Sequence, residues 1–340
     1  MKSIIGICGF GYSGSGALLD FLKDYKDICV KDELEFSMVY TPDGIEDLYR
    51  AISLYPSRYW SSDSSIRRFI QLANRRKKSY DKLTNGQYSD LLASYLDRII
   101  QTSWIGSTSV HVYQDSNVEY FFFQKLLRQL IVRWESNFGK IPFRTKPQKK
   151  MYYSSLKESE FVKISRQFIT YIIESLSLTS DTIVLDQPFA ANFPEKSFPF
   201  FENPKAILVT RDPRDTYILA KQHLGLTGTF IPTDNVDAFI CYYKGLMDSV
   251  HIAKKQKVMI IPFEDLVYKY EETKLKIENF VGCKVLRDNI ESKKFNPNIS
   301  INNTQLFLKH PQYEDDVCKI EHYLSQYVYN YCCPIKIGID

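Results

Sequence analysis

No stretch of this 340-residue chain approaches the run of about 18 apolar residues that reads as a membrane-spanning helix. The first apolar run, Ile4-Ile5-Gly6-Ile7-Cys8, stops at a glycine-rich turn and is too short for the core of a secretory signal. The expectation is a soluble, cytoplasmic protein with no transmembrane segment. A large excess of one charge is also missing: 44 Lys+Arg against 40 Asp+Glu leave +4. That excludes nucleic-acid binding by bulk charge, so any basic function must come from local placement. The seven cysteines (Cys8, Cys29, Cys241, Cys283, Cys318, Cys332, Cys333) are odd in number, scattered and without a Cys-x-x-Cys pair. They suit reduced thiols better than a disulfide framework or zinc site. The five histidines (His111, His223, His251, His310, His322) never reach metal-ligand spacing, and no metal is expected. Internal repeats and low-complexity segments are absent too. What remains, 44% hydrophobic and 25% charged, is an ordinary globular composition. Aromatics at 14%, mostly Tyr and Phe, serve a core first and a sugar-stacking surface second.

The strongest local pattern lies in the first 26 residues. Ser3 to Cys8 reads as a buried parallel strand, Gly9-Phe10-Gly11-Tyr12-Ser13-Gly14-Ser15-Gly16 as a turn of small residues, and Ala17, Leu18, Phe21, Leu22 and Tyr25 fall at helical spacing. Strand, glycine loop, helix is how a phosphate-binding α/β domain opens. Thr182–Leu185, Ala206–Thr210 and Val258–Ile261 are further buried strands, each followed by polar sequence and a helix-like stretch, as in a parallel sheet with crossovers. Between 40 and 175 the chain is polar, rich in Tyr and Ser and mostly helical (Asp90–Ile100, Tyr120–Trp134, Lys157–Leu178). Length alone predicts about two domains. The pattern instead predicts one α/β domain over 1–340 with a helical insertion or cap at 40–175.

Two motifs carry chemistry. A glycine turn feeding a helix leaves convergent backbone N–H groups at the positive end of the helix dipole, a cradle for phosphate or sulfate to which Ser13 and Ser15 add hydroxyls. The loop nearly matches G-x-x-x-x-G-K-[ST], but Ser15 stands where a nucleotide hydrolase needs lysine. The second motif, Arg211-Asp212-Pro213-Arg214-Asp215, follows a strand. Asp212 reads as an N-cap, Pro213 as the first helical residue and Asp215, three residues after the cap, as the acid of a capping box. That accounts for the aspartates and the proline but for neither arginine. A guanidinium at the carboxyl end of a parallel strand enters the ligand crevice of such sheets, and its fork matches a phosphate.

These two motifs, with the strand leading into Pro262-Phe263-Glu264-Asp265-Leu266, resemble the sulfotransferases that use 3′-phosphoadenylyl sulfate (PAPS). The resemblance spans roughly 1–36 and 180–335, not the insertion. It implies a P-loop-type three-layer α/β fold with a central parallel sheet, PAPS as co-substrate and no required metal. Carried over by position, the loop from Gly11 and Tyr12 through Ser13, Gly14, Ser15 and Gly16 cradles the 5′-phosphosulfate. Arg211 takes the 3′-phosphate with Arg214 beside it, and Ser300 and Asn303 belong to a C-terminal cofactor loop. Two positions depart from the family: Tyr12 stands where many members have a lysine or arginine, and Leu219 where a serine is expected.

Sulfuryl transfer to a hydroxyl is an in-line displacement and needs a base. Val30-Lys31-Asp32-Glu33-Leu34-Glu35-Phe36 resembles the place where carbohydrate sulfotransferases keep a catalytic glutamate. Glu33 is the first choice, Glu35 the second, and Lys31 is a substitute for the cation missing at Tyr12. His223 is a further possibility for the acceptor side. Asp186, Glu264 and Asp265 read as strand-end and cap residues, though Asp186-Gln187-Pro188 also suits holding the acceptor. The clusters Arg75–Lys78 and Lys146–Lys150 read as solvated faces, or as attractors for an anionic glycan. The function implied is sulfation of a carbohydrate, glycolipid or small-molecule hydroxyl, with no nucleic-acid partner. The competing readings are a P-loop kinase or nucleotidase, and a non-catalytic nucleotide- or glycan-binding relative, for which Tyr12 and Leu219 speak.

Overall fold

A computed structural model describes residues 2–106, 126–139, 148–176, 178–227, 230–286 and 294–331. His111, Lys146, Cys332, Cys333 and the first part of the helix expected at Tyr120–Trp134 lie outside them. In chain order the strands are β1 (Ser3–Gly9), β2 (Cys29–Lys31), β3 (Thr102–Gly106), β4 (Lys149–Tyr153), β5 (Thr182–Asp186), β6 (Pro204–Thr210) and β7 (Val258–Pro262). The longer helices are α1 (Ser15–Lys23), α2 (Arg58–Leu83), α3 (Tyr88–Ile99), α4 (Leu127–Phe138), α5 (Glu158–Glu174), α6 (Pro213–Thr227), α7 (Val236–Asp248), α8 (Phe263–Tyr268), α9 (Tyr270–Val281) and α10 (Glu314–Tyr323). Two compact units result: Met1–Tyr40 with Ile173–Asp340, and Thr41–Ile172.

The first unit has the α/β class read from the sequence. Its sheet has five strands in the order β2-β5-β1-β6-β7, all paired in parallel. The four longer strands are apolar runs because both faces are covered. On one face Ile5 and Ile7 of β1, Val184 of β5 and Val209 of β6 pack with Leu18 and Leu22 of α1, and with Leu266 and Ile277 of α8 and α9. On the other, Gly6 lies against Phe189, where a Cβ would come within 2.3 Å of the ring. Phe189 in turn packs edge-on against Phe198 and Phe201. Burying each such large apolar side chain contributes about 1.5–3 kcal/mol. Because every strand runs the same way, the ends Gly9, Lys31, Asp186, Thr210 and Pro262 share one edge. This carboxyl edge is where open α/β sheets bind ligands. Among the described residues no helix is long and apolar enough to cross a membrane.

The second unit is helical, as its pattern predicts, but it also holds an antiparallel pair, β3 with β4, that the sequence reading lacks. Its core is aromatic: Tyr95 stacks on Phe168 at 4.3 Å and Tyr80 on Tyr88 at 4.9 Å. The buried Asp63 of α2 accepts from Arg67 and from the backbone N–H of Tyr152, which ties the long helix to β4. Arg75, Lys77 and Lys78 lie exposed on α2, as a solvated face requires.

Candidate functional site

The site grows from the turn after β1. Tyr12 and Gly14 take left-handed backbone angles (φ 61° and 88°), and Ser13 N–H closes the turn on Phe10 O at 3.1 Å. At Gly14 a Cβ would fall 2.7 Å from the Phe263 ring, so glycine is required there by conformation and by space. Gly14 is the N-cap of α1 and supplies no capping side chain, so the first helical N–H groups at Ser15 and Gly16 have no cap from it. Nothing lies within 4 Å of the place a Gly16 Cβ would take, so the space over the helix start is open. The Ser13 hydroxyl is buried and has no hydrogen-bond partner.

Gln187, just past β5, braces this loop. Its backbone is left-handed (φ 47°), a conformation costing about 1 kcal/mol for a residue with a Cβ. In return its N–H reaches Ile7 O, its Oε1 accepts from Gly9 N–H at 3.2 Å and its Nε2 approaches the Ser15 hydroxyl at 3.4 Å. The sequence reading gave Gln187 only a possible place near the acceptor. Its bracing role rests on pairings 178 and 172 residues apart, which no local pattern signals.

Arg211 stands at the end of β6, 7% exposed, with its guanidinium 4.8 Å over the Phe263 ring. One terminal nitrogen donates to Tyr12 O at 3.2 Å, the other to Asn303 O, and Nε is buried without a partner. Burial pulls its pKa down, against the nearby Asp215 and Glu264. One cation therefore joins the glycine loop to the 300–305 segment. Ser300 ends a short helix, Pro297–Ser300, three residues before Asn303.

The neighbouring residues of the motif brace it. Asp212 caps α6 through Arg214 N–H at 2.8 Å and also takes the Arg214 fork at 3.0 and 2.7 Å. Arg214 further lies 4.0 Å over Phe307 and reaches Glu321, so its guanidinium is engaged inside the protein rather than offered to a ligand. The capping box read from the sequence does not form. Asp215 accepts instead from Gln305 and Leu306 N–H at 2.8 and 2.7 Å, fixing the 300–305 segment, while Asp212 N–H goes to Glu264. A box needs its acid to turn back one helical turn; here two orphan N–H groups of another segment hold it instead.

Three carboxylates around this edge are shifted. Glu264 is wholly buried, with one oxygen on Asp212 N–H and the other bare. Burial first, then Asp212 and Asp215, raise its pKa to about 8. Asp215 is pushed up to about 6 by burial and by Asp212, with Arg211 opposing. Asp186, at the end of β5, also rises to about 6, from burial and the charges of Glu35 and Asp32. The 31–36 turn reaches this edge through Phe36 N–H on Asp186 O at 2.7 Å. Glu33 and Glu35 are exposed on it and Lys31 is half-buried at the end of β2. Asp32 is paired with Lys23.

Tyr12 stacks with His223 (5.4 Å) and with Phe230 (6.1 Å). His223 therefore packs on the loop tyrosine. Leu219 lies against the apolar cluster of α6, α7 and α10.

Neither a family model nor a curated protein matches the chain. Two solved structures are similar to it at 12% identity: a sulfotransferase domain from the curacin biosynthetic pathway and one from the Synechococcus PCC 7002 olefin synthase. The first has a TM-score of 0.39 over 97% of this chain and 99% of the other. The second has 0.38 over 97% of each.

Proposed function

We propose that the chain is a sulfotransferase that moves a sulfuryl group from PAPS to a hydroxyl, with a carbohydrate or glycolipid as the acceptor class. The observation that carries this is Arg211, which hydrogen-bonds the carbonyls of Tyr12 and Asn303 at the carboxyl edge of the sheet. The segments that resemble the family's 5′-phosphosulfate loop, 3′-phosphate arginine and cofactor loop thereby meet at one guanidinium. The fit to a doubly anionic nucleotide is supported by the unpartnered Ser13 hydroxyl and Arg211 Nε and by the open space over Gly16.

In this reading the helix start at Ser15 and Gly16 stabilises charge on the departing 5′-phosphate. The acceptor oxygen forms a bond to sulfur as the bond from sulfur to the phosphate oxygen breaks. The acceptor proton passes to Glu33, or to Glu35 beside it. Residues 41–172 are proposed to select the acceptor.

Titration calorimetry with adenosine 3′,5′-bisphosphate tests the reading. Saturable binding without magnesium is expected. Arg211→Ala should weaken it at least tenfold, since a charge-assisted hydrogen bond contributes about 1.5–3 kcal/mol. Tight binding of magnesium-ATP instead, or an unchanged affinity in Arg211→Ala, overturns it.

A further inference from the structure

Residues 327–331 lie against the Arg211 motif. Val328 is extended, and Tyr327, Tyr329 and Tyr331 each send a hydroxyl to a carboxylate of a different helix: Asp248 at the end of α7, Asp265 in α8 and Asp215 in α6. Tyr329 is also tied by its backbone, its N–H on Asp212 Oδ2 at 3.0 Å and its carbonyl accepting from Arg214 at 3.4 Å. The Tyr331 hydroxyl bears most directly on the site. Asp215 is fully buried, and three donors reach it. Leu306 N–H meets Oδ1 at 2.7 Å, while Gln305 N–H at 2.8 Å and Tyr331 OH at 3.1 Å share Oδ2. Gln305 has a left-handed backbone (φ 51°), which a residue with a Cβ adopts only when its surroundings hold it there. Two residues before it, Asn303 presents its carbonyl to Arg211. The ring of Tyr331 meets Tyr268 edge-on at 5.5 Å, and the Tyr268 hydroxyl is bonded to Thr304 Oγ1 at 2.6 Å and accepts from Gln305 Nε2 at 3.0 Å.

We propose that Tyr331 is a positioning residue of the nucleotide site: by holding the Asp215 carboxylate it fixes the turn at Gln305 and Leu306, and through that turn the Asn303 carbonyl that meets Arg211. The inference rests on the nucleotide reading and deepens it. The groups around Asp215 set its proton. Burial and Asp212, at the start of α6, favour the neutral acid, and Glu264 of α8 is a further acid acting on it. Arg211 at the end of β6, Leu306 N–H and Tyr331 OH favour the carboxylate, the form that can accept from all three donors. The remaining cation of the motif, Arg214, is engaged by Asp212. Removing the Tyr331 hydroxyl therefore moves the Asp215 pKa upward and loosens the turn.

Tyr331→Phe tests this, because it keeps the ring and its packing and removes only the hydroxyl. Tyr329→Phe is the control: it loses the bond to Asp265 from the same segment but none to Asp215. Titration calorimetry with adenosine 3′,5′-bisphosphate is run at pH 8, where Asp215 is ionised. Affinity should fall by about threefold or more in Tyr331→Phe, the scale of one hydrogen bond, and stay at the parent value in Tyr329→Phe. In nucleotide-free protein, a ¹³C-carboxyl titration should place Asp215 above its parental midpoint of about 6 in Tyr331→Phe alone. Amide exchange at Gln305 and Leu306 should quicken in the same variant. An unchanged affinity or an unchanged Asp215 midpoint in Tyr331→Phe overturns the proposal, and so does an equal loss of affinity in both variants, which would make the segment a general strap. A parent that does not bind the nucleotide overturns the functional reading and this inference with it; a parent that binds, beside a Tyr331→Phe that binds as well, overturns the inference alone.

Discussion

At Asp186, a carboxylate beside two other acids, Glu35 and Asp32, is pushed up to about 6. Its position between the glycine-loop brace Gln187 and the 33–35 turn makes the acids interdependent. Removing the Glu35 charge should therefore lower the Asp186 pKa, and a ¹³C-carboxyl titration of Glu35→Gln should show that fall. An unchanged midpoint would mean that the two groups do not interact in solution. Glu33→Gln belongs to the same scale. As a positioned base it should cost about two to four decades in turnover while adenosine 3′,5′-bisphosphate affinity stays as it was. Normal turnover would move the base to Glu35 or to Asp186. The sequence marked the 31–36 turn by its place after the first helix and a short strand, and by its resemblance. Asp186 read as a strand end because its partners come from a different strand and turn.

Among the elements, the strands and the first loop were legible for a physical reason. A parallel strand covered on both faces must be a continuous apolar run, and a turn that approaches a ring as closely as Gly14 approaches Phe263 must be glycine. Gly14→Ala accordingly combines a left-handed strain of about 1–2 kcal/mol with overlap against the Phe263 ring. Urea unfolding should show a loss of at least that size, and nucleotide affinity should fall with it, because the same turn sets the start of α1. A stability equal to that of the parent would mean that the turn relaxes. What was not legible is how elements brace one another. Asp215 sits at capping-box spacing, but the Gln305 and Leu306 N–H groups that it holds are 90 and 91 residues away. The β3–β4 pair escaped for a similar reason: Lys-Lys-Met-Tyr-Tyr and Thr-Ser-Trp-Ile-Gly are short and weakly alternating, and they become strands only by pairing with each other.

Across the whole molecule, three acids with raised values turn the site into a pH dependence of stability. Asp186, Asp215 and Glu264 all have folded-state values above their ordinary ones, to about 6, about 6 and about 8. An acid raised on folding binds its proton more tightly in the native state. Its contribution is complete below the ordinary value, near 4, and is lost as pH rises through the raised one. Each such group tilts stability downward by up to about 1.4 kcal/mol per pH unit while it titrates. Asp248 and Glu272 are lowered by Lys244 and Lys276 and tilt the opposite way, but both pairs are at the surface, where ion pairs contribute little. The net expectation is a stability that falls from about pH 4 to 6 through Asp186 and Asp215 and goes on falling to about pH 8 through Glu264. Urea midpoints between pH 5 and 9 measure this directly. In Glu264→Gln, which keeps an acceptor for Asp212 N–H but carries no titrating proton, the limb between pH 6 and 8 should flatten while the limb below 6 remains. A parent protein equally stable at pH 6 and pH 8 would show that Glu264 is ionised throughout, and that its buried charge is stabilised by its surroundings, Arg211 among them.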